Sequence, residues 1–314
     1  MILSLEPVLK ENVWGGTRLV TEFPYHAEGE HIGECWAVSA HPHGDGVVKE
    51  GEYAGKTLSN LYAEHRELFG NISAEEFPLL IKIIDAQTDL SIQVHPDDAY
   101  ARDREGVPYG KTECWYVMDC PENAALVIGH HAKTRQELAD MISQGKYEEL
   151  IRKVPVRKGD FLQIDPGTVH AIKGGFLILE VQQSSDITYR VYDYGRLVDG
   201  KPRQLHVQQS IDVINAPDES DKKALKHTDG LPVNQLNLLE ECAHYKVWKL
   251  ELKGEFAFEQ KYPFLILSVL EGKGTVDGQP VDRGTHLLIT GDHGTATMEG
   301  EMVMILSTVG GSAI

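Results

Sequence analysis

In the stretch Leu90-Ser-Ile-Gln-Val-His-Pro-Asp-Asp, an extended backbone sets Ser91, Gln93 and His95 on one face and Leu90, Ile92 and Val94 on the other. The apolar face packs. The polar face has to line something wet or hold an ion, because burying unpaired polar groups costs roughly a few kcal/mol each. Pro96 ends the strand. The same alternation puts Lys111, Glu113 and Trp115 on a common face, and His170 restarts a strand after the turn Asp165-Pro-Gly. Two imidazoles, one carboxylate and one amide oxygen suit a borderline divalent ion, with zinc the first candidate. Each residue alone also has an ordinary reading, as a hydrogen-bonded strand histidine or a solvated glutamate. Spacing by itself leaves both open. His41 and His43 sit in a Pro- and Gly-rich turn, and His130-His131 point opposite ways if extended, so both pairs read as surface groups or as supports behind a site.

The elements that must position these groups are mostly short strands. Leu79–Ile84, Leu90–His95, Cys114–Met118, Phe161–Ile164 and Phe176–Val181 are apolar or β-rich and bounded by Gly, Pro and Asp turns. Helical spacing is expected at Leu58–Leu68, after a Thr134/Glu137 capping box leading into Leu138, Met141 and Ile142, and over Gln204–Ile214. The polar stretch 216–235 reads as a crossing between two β domains, placed at 1–230 and 231–314. The second has strands at Tyr245–Leu252, Phe264–Leu270, His286–Ile289 and Met302–Thr308. Lys158-Gly-Asp-Phe-Leu-Gln-Ile and Arg283-Gly-Thr-His-Leu-Leu-Ile echo each other, as a repeated β-barrel unit would.

The 314 residues carry a formal net charge of −18, which argues against nucleic acid or an anionic membrane as partner. A phosphorylated ligand would need a local cluster of Lys and Arg to override that field. No segment reads as a membrane span or a signal peptide, and a cytoplasmic location follows by default. The four cysteines lack a CxxC pair and read as reduced, mostly buried thiols.

Gly159-x7-Gly167-x2-His170 resembles the second cupin motif, with Asp165 where proline is usual. Leu90-Ser-Ile-Gln-Val-His-Pro-Asp-Asp, Gly110-Lys-Thr-Glu-Cys-Trp-Tyr and Pro166-Gly-Thr-Val-His together resemble type I mannose-6-phosphate isomerase, a zinc-dependent cupin family. Asn12-Val-Trp-Gly-Gly, Gly33-Glu-Cys-Trp, Phe77-Pro-Leu-Leu-Ile-Lys and Ile187-Thr-Tyr-Arg-Val-Tyr-Asp-Tyr-Gly-Arg look like family segments in family order. The likeness covers roughly residues 5–200, and the tail more loosely. Without the large helical insertion of longer members, the chain resembles the short bacterial form. The implied fold is mainly β, two cupin (jelly-roll) domains with a few short helices in the N-terminal part and no metal in the C-terminal one.

The resemblance implies Gln93, His95, Glu113 and His170 as ligands of one Zn²⁺ per chain. It implies Arg190 as a catalytic or phosphate-contacting residue, with Lys111, Glu180, Lys82 and Ser91 lining the pocket; Trp14 and Trp36 sit in matching motifs where packing would serve equally. The residues themselves agree in part. Alternation groups Thr188, Arg190, Tyr192 and Tyr194, and an arginine among hydroxyl-bearing rings suits sugar and phosphate recognition. Lys82 interrupts an apolar run, where either a bound anion or a local carboxylate must answer it. The implied reaction interconverts mannose 6-phosphate and fructose 6-phosphate through an enediol(ate), with Glu180 as carbon base and Lys111 as proton shuttle. The expected partner is a free sugar phosphate, and the protein a monomer or homodimer. Two other classes compete. A non-haem iron oxygenase shares the two histidines and carboxylate but needs the position Gln93 would fill. A non-catalytic sugar-binding bicupin would not need metal ligands and cations together.

Overall fold

The computed structural model describes residues 1–220 and 224–311. Its main strands form three antiparallel sheets. A seven-stranded sheet runs in the order Leu225–Lys226, Phe161–Ile164, Glu113–Asp119, Leu177–Gln183, Leu79–Asp85, Ile32–Val38, Val8–Gly16. A five-stranded sheet runs Ile151–Pro155, Ala125–His130, His170–Ala171, Ile92–Val94, Tyr189–Tyr192. Leu126 and Ile128 of the smaller sheet share one buried cluster with Trp115, Val117, Leu162 and Ile178 of the larger, so the two sheets close on a common interior.

The third sheet holds eight strands. Three of them, Tyr245–Glu259, Phe264–Val276 and Thr295–Val309, are longer than the apolar runs that announce them, because their distal halves pair with each other as exposed ribbon. The chain start joins this sheet: Ile2 pairs with Ile289 and Ser4 with Leu287. Leu3, Leu5, Phe77, Phe264 and Ile305 therefore belong to one core that runs across both ends of the sequence. Within the polar stretch 216–235, Leu225–Lys226 extends the seven-stranded sheet by pairing with Phe161–Leu162; residues 221–223 of that stretch lie outside the described residues. The echoed segments enter inner strands alike, with Gly159 at φ 88° and Gly284 at φ 91° turning the chain.

Among the described residues the α-helices are short and all precede residue 214. Thr57 caps Leu58–Glu64 by accepting from the Asn60 N–H, but His65 leaves helical geometry and the rest continues as a 3₁₀ turn, Arg66–Phe69. Thr134 caps Arg135–Ser143 as its sequence predicts. The third helix is Val207–Val213. Arg18–Thr21, the Asp98–Glu105 turns and Tyr147–Leu150 are too brief for a 3.6-residue period to register.

Candidate active site

The strand Ile92–Val94 lies between two partners, and one residue of each faces Gln93: His170 on one side and Arg190 on the other. His95 follows that strand. Two glycines draw the remaining segments onto it. Gly167 N–H donates to the His95 carbonyl, which ties the turn before His170 to His95. Gly110 lies so close to the Pro96–Asp97 backbone that a Cβ there would meet it at 2.4–2.7 Å, and Lys111 N–H donates to the Pro96 carbonyl. Lys111 and Glu113 are thereby delivered beside His95.

At the centre, His95 and His170 approach through Nε2 at 3.1 Å, and each Nε2 lies 3.4 Å from a Glu113 carboxylate oxygen. All three side chains are fully buried. His95 Nδ1 meets the Ile187 carbonyl at 2.7 Å and His170 Nδ1 the Thr168 carbonyl at 2.9 Å. Each Nδ1 therefore carries the proton, and both Nε2 lone pairs point inward. Neither Glu113 oxygen accepts a well-directed hydrogen bond. Lys111 Nζ, 2.7 Å from Glu113 Oε2 and 3.1 Å from His95 Nε2, supplies the nearby positive charge. Burial, then Lys111, pushes His95 down to about 3, and burial also lowers His170. Burial by itself would raise Glu113, but Lys111 and the two histidines outweigh it and hold the carboxyl well below its ordinary range. Three Lewis bases thus converge with no donor among them, which is the arrangement a divalent cation satisfies.

Gln93 stands 3.2 Å from His170 through its amide nitrogen, while Ser91 Oγ donates to the amide oxygen at 3.2 Å. A half-turn of the amide exchanges the two, with Ser91 then accepting. Gln93 and Lys111 separate the buried trio from a cleft of about 190 Å³, also lined by Ser91, Lys82, Glu180 and Arg190. All the pocket residues expected from the sequence come together there. Larger, more open grooves exist, such as one of about 610 Å³ beside Asp165 and Asp218, but the cation cluster and the His/Glu trio are not on it.

Glu180 pairs across strands with Lys82 and Trp115, so its carboxylate meets both. Trp115 Nε1–H donates to Oε2 at 2.9 Å, and Lys82 and Lys111 lie 3.6 and 3.9 Å from Oε1. Burial, then the Glu113 charge, raises the Glu180 pKa against these two lysines. Burial disfavours charge on Lys111 too, but Glu113 and Glu180 reverse this and raise its pKa. Lys82 is answered by carboxylates after all, Glu180 and Glu34 (3.9 Å), and its ammonium lies 4.9 Å over the Trp36 ring.

Two expectations need correction. Alternation does not carry Tyr192 and Tyr194 to Arg190's side: the register shifts between Arg190 and Tyr192, Tyr194 has φ 57°, and the tyrosines pack on Tyr147 and on each other. His130 is not at the surface; it is buried with Nε2 against the Asn215 carbonyl. Residues missed by the sequence reading are Asn12, Glu34, Asp186 and Arg203, which also line the cleft. Glu34 lay within a recognised segment, but Arg203 follows a Gly-Lys-Pro turn with no periodic signal. His41, His43 and Asp186 form a second His/Asp group at the surface, paired at 3.5 and 2.6 Å.

Comparison with known proteins gives the chain's family. Residues 2–120 match the catalytic-domain model of type I phosphomannose isomerase, and residues 234–309 match the cupin domain of mannose-6-phosphate isomerase. The chain is 45% identical over 310 residues to mannose-6-phosphate isomerase ManA of Bacillus subtilis, covering 97% of this chain and 98% of that one. It is 44% identical over 311 residues to the mannose-6-phosphate isomerase of Streptococcus mutans, covering 97% of each. A crystal structure of the Bacillus subtilis mannose 6-phosphate isomerase superposes with a TM-score of 0.88 at 40% identity, over 98% of this chain and 99% of that one. The chain belongs to the type I phosphomannose isomerase family and has its β-rich cupin fold.

Proposed function

We propose that this chain interconverts mannose 6-phosphate and fructose 6-phosphate with one zinc ion held by Gln93, His95, Glu113 and His170. The observation that carries the reading is the buried Glu113 carboxylate, which accepts no well-directed hydrogen bond, converging with two imidazole lone pairs beneath a cleft lined by Lys82, Lys111 and Arg190. Bound there, the ion supplies Lewis acidity without redox chemistry, for negative charge that develops on O1 and O2 as a proton moves between C2 and C1.

The chain's own residues do the rest. His170, Gln93 and Arg190 form one row across three strands. Neighbouring strands are about 4.8 Å apart, so the row runs from trio to guanidinium over a span that an extended six-carbon chain bridges. Arg190 holds the phosphate; its buried Nε has no partner among the described residues. Glu180 takes the proton from C2 and returns it to C1 in the enediol(ate) path, poised by a pKa that burial raises towards the working range. Lys111, between His95 and Glu180, moves a proton between O1 and O2. Ser91 orients the Gln93 amide, and Lys82 keeps Glu180 charged and in place. The setting this implies is a cytoplasmic enzyme, monomeric or homodimeric, acting on a free metabolite.

A coupled assay with mannose 6-phosphate tests the reading before chelation, after it, and with divalent metals restored. Activity lost on chelation and recovered with zinc is expected. No turnover with any divalent metal overturns it. Near-normal C2 solvent exchange and turnover in Glu180→Gln would remove Glu180 as the base.

A further inference from the structure

The proposed chemistry leaves one guanidinium in the cleft unused. Arg203 lines it with Arg190, Thr188 and Ser91. It arrives there on a two-stranded ribbon that folds back on Arg190's own segment. Asp199 and Gly200, at φ 52° and 76°, make the tight reversal between Leu197–Val198 and Lys201–Pro202. The returning strand then meets the outgoing one at two points: His206 N–H donates to the Arg190 carbonyl at 2.8 Å, and Arg203 meets Asp193.

That second meeting is a rigid mount. Asp193 is only 4% exposed, and Arg203 Nε and Nη2 donate to its two oxygens at 2.7 and 2.5 Å. Arg196 Nη2 donates to the same carboxylate at 2.6 Å, but Arg196 turns to a different groove beside Gln87 and Tyr194. Of the two arginines on this carboxylate, Arg203 alone faces the cleft. The fork uses Nε and Nη2 and leaves Nη1 without a partner among the described residues. Arg190 in turn has no ion pair among the described residues, and burial followed by the Arg203 charge lowers its pKa. Lys82, by contrast, is already matched by Glu34 and Glu180. Arg203 and Arg196 share the single Asp193 carboxylate and Arg190 has no carboxylate of its own, so the net charge at the Arg190–Arg203 end of the cleft is positive.

We propose that Arg203 is the second half of a phosphate clamp with Arg190, that Asp193 is its positioning residue, and that the pair selects phosphorylated over unphosphorylated sugar. The inference rests on the mannose 6-phosphate reading. Two like charges around one small cleft accommodate a dianion that a single guanidinium would hold less tightly and with less orientation.

The test compares wild type, Arg203→Met, Arg203→Lys and Asp193→Asn, each first checked for native circular dichroism and metal content. For Arg203→Met, KM for mannose 6-phosphate is expected to rise roughly 10- to 100-fold, the effect of losing one charged hydrogen-bonding partner, with kcat falling far less. The ratio of kcat/KM for mannose 6-phosphate to that for mannose should drop at least about tenfold. Arg203→Lys should recover part of the loss, and Asp193→Asn should move KM the same way by less. Inorganic phosphate should bind wild type in calorimetry and bind Arg203→Met about tenfold more weakly or worse. Unchanged KM and phosphate binding in folded Arg203→Met overturns the clamp, as does an equal loss for both sugars. If wild type fails to turn over mannose 6-phosphate, the functional reading falls. Phosphate calorimetry then still decides whether Arg190 and Arg203 form an anion site.

Discussion

His95 and His170 in one region, and His286 in the other, are all buried, and burial pushes all three below their ordinary pKa. The environments differ in what the ring nitrogens meet. His286 is satisfied on both sides, with Nδ1 at 2.8 Å from Ser268 Oγ and Nε2 at 2.9 Å from the Tyr25 hydroxyl. Tyr25 also donates to the Gly284 carbonyl, so that network closes on itself. In the first region each Nδ1 is satisfied by backbone, while two Nε2 atoms and a carboxylate face one another. Burial and a shifted pKa are therefore common to a structural histidine and a candidate ligand. What separates them is convergence: in the first region three Lewis-basic groups aim at one point, whereas each His286 nitrogen has its own partner.

That contrast can be broken by substitution on either side. The largest effect is expected from Glu113→Ala, which should lower isomerase kcat/KM by on the order of 10³ or more and release bound metal; metal analysis beside the coupled assay checks it. Retained metal and activity would place Glu113 with His286 as structure. Glu180→Gln follows, with a loss of about 10²–10⁴ in kcat. Because burial raises the Glu180 pKa, wild-type activity should fall as pH drops through a value higher than an ordinary glutamate's, and pH–rate profiles should show that limb missing from the variant. Ser91→Ala should weaken metal affinity or kcat by about 10-fold by freeing the Gln93 amide, read by competition with a chelator.

His286→Gln is expected to have the smallest effect on kinetics, leaving kcat/KM within about twofold while lowering stability by about 1–3 kcal/mol in urea. Its pH signature has a definite sign. The unfolded ring takes up a proton near about 6.5, whereas the folded ring stays neutral down to about 3. Wild type should thus lose stability as pH falls through that window, and the variant should lose less. An activity collapse in a folded His286→Gln protein would break the comparison from the other side.

Much of the site was legible in the residues. Strand alternation put Ser91, Gln93 and His95 on one face and Lys111 with Glu113 on another, and the family likeness tied these to His170, Arg190, Glu180 and Lys82. Alternation failed where the ladder is irregular, as at the shift after Arg190, because an extra residue reverses every later side chain. Arg203 and Asp186 escaped notice since they reach the cleft through turns, which have no period to read. Short helices and the long strands Tyr245–Glu259, Phe264–Val276 and Thr295–Val309 were under-read for the opposite reason, that a few residues or a solvated ribbon give little hydrophobic signal.

By itself, the sequence determined the β-rich class, the residue types able to hold a divalent ion, and the need for local cations against a charge of −18. These follow from side-chain chemistry and a two-residue repeat, both local properties. Only the tertiary structure decided that residues 2–4 pair with a strand near the other end of the chain, that Lys82 has carboxylate partners, and that Arg190 and Arg203 line one cleft. Those depend on register and on close approach of distant segments, where a single bulge, or a glycine such as Gly110, decides which side chains meet.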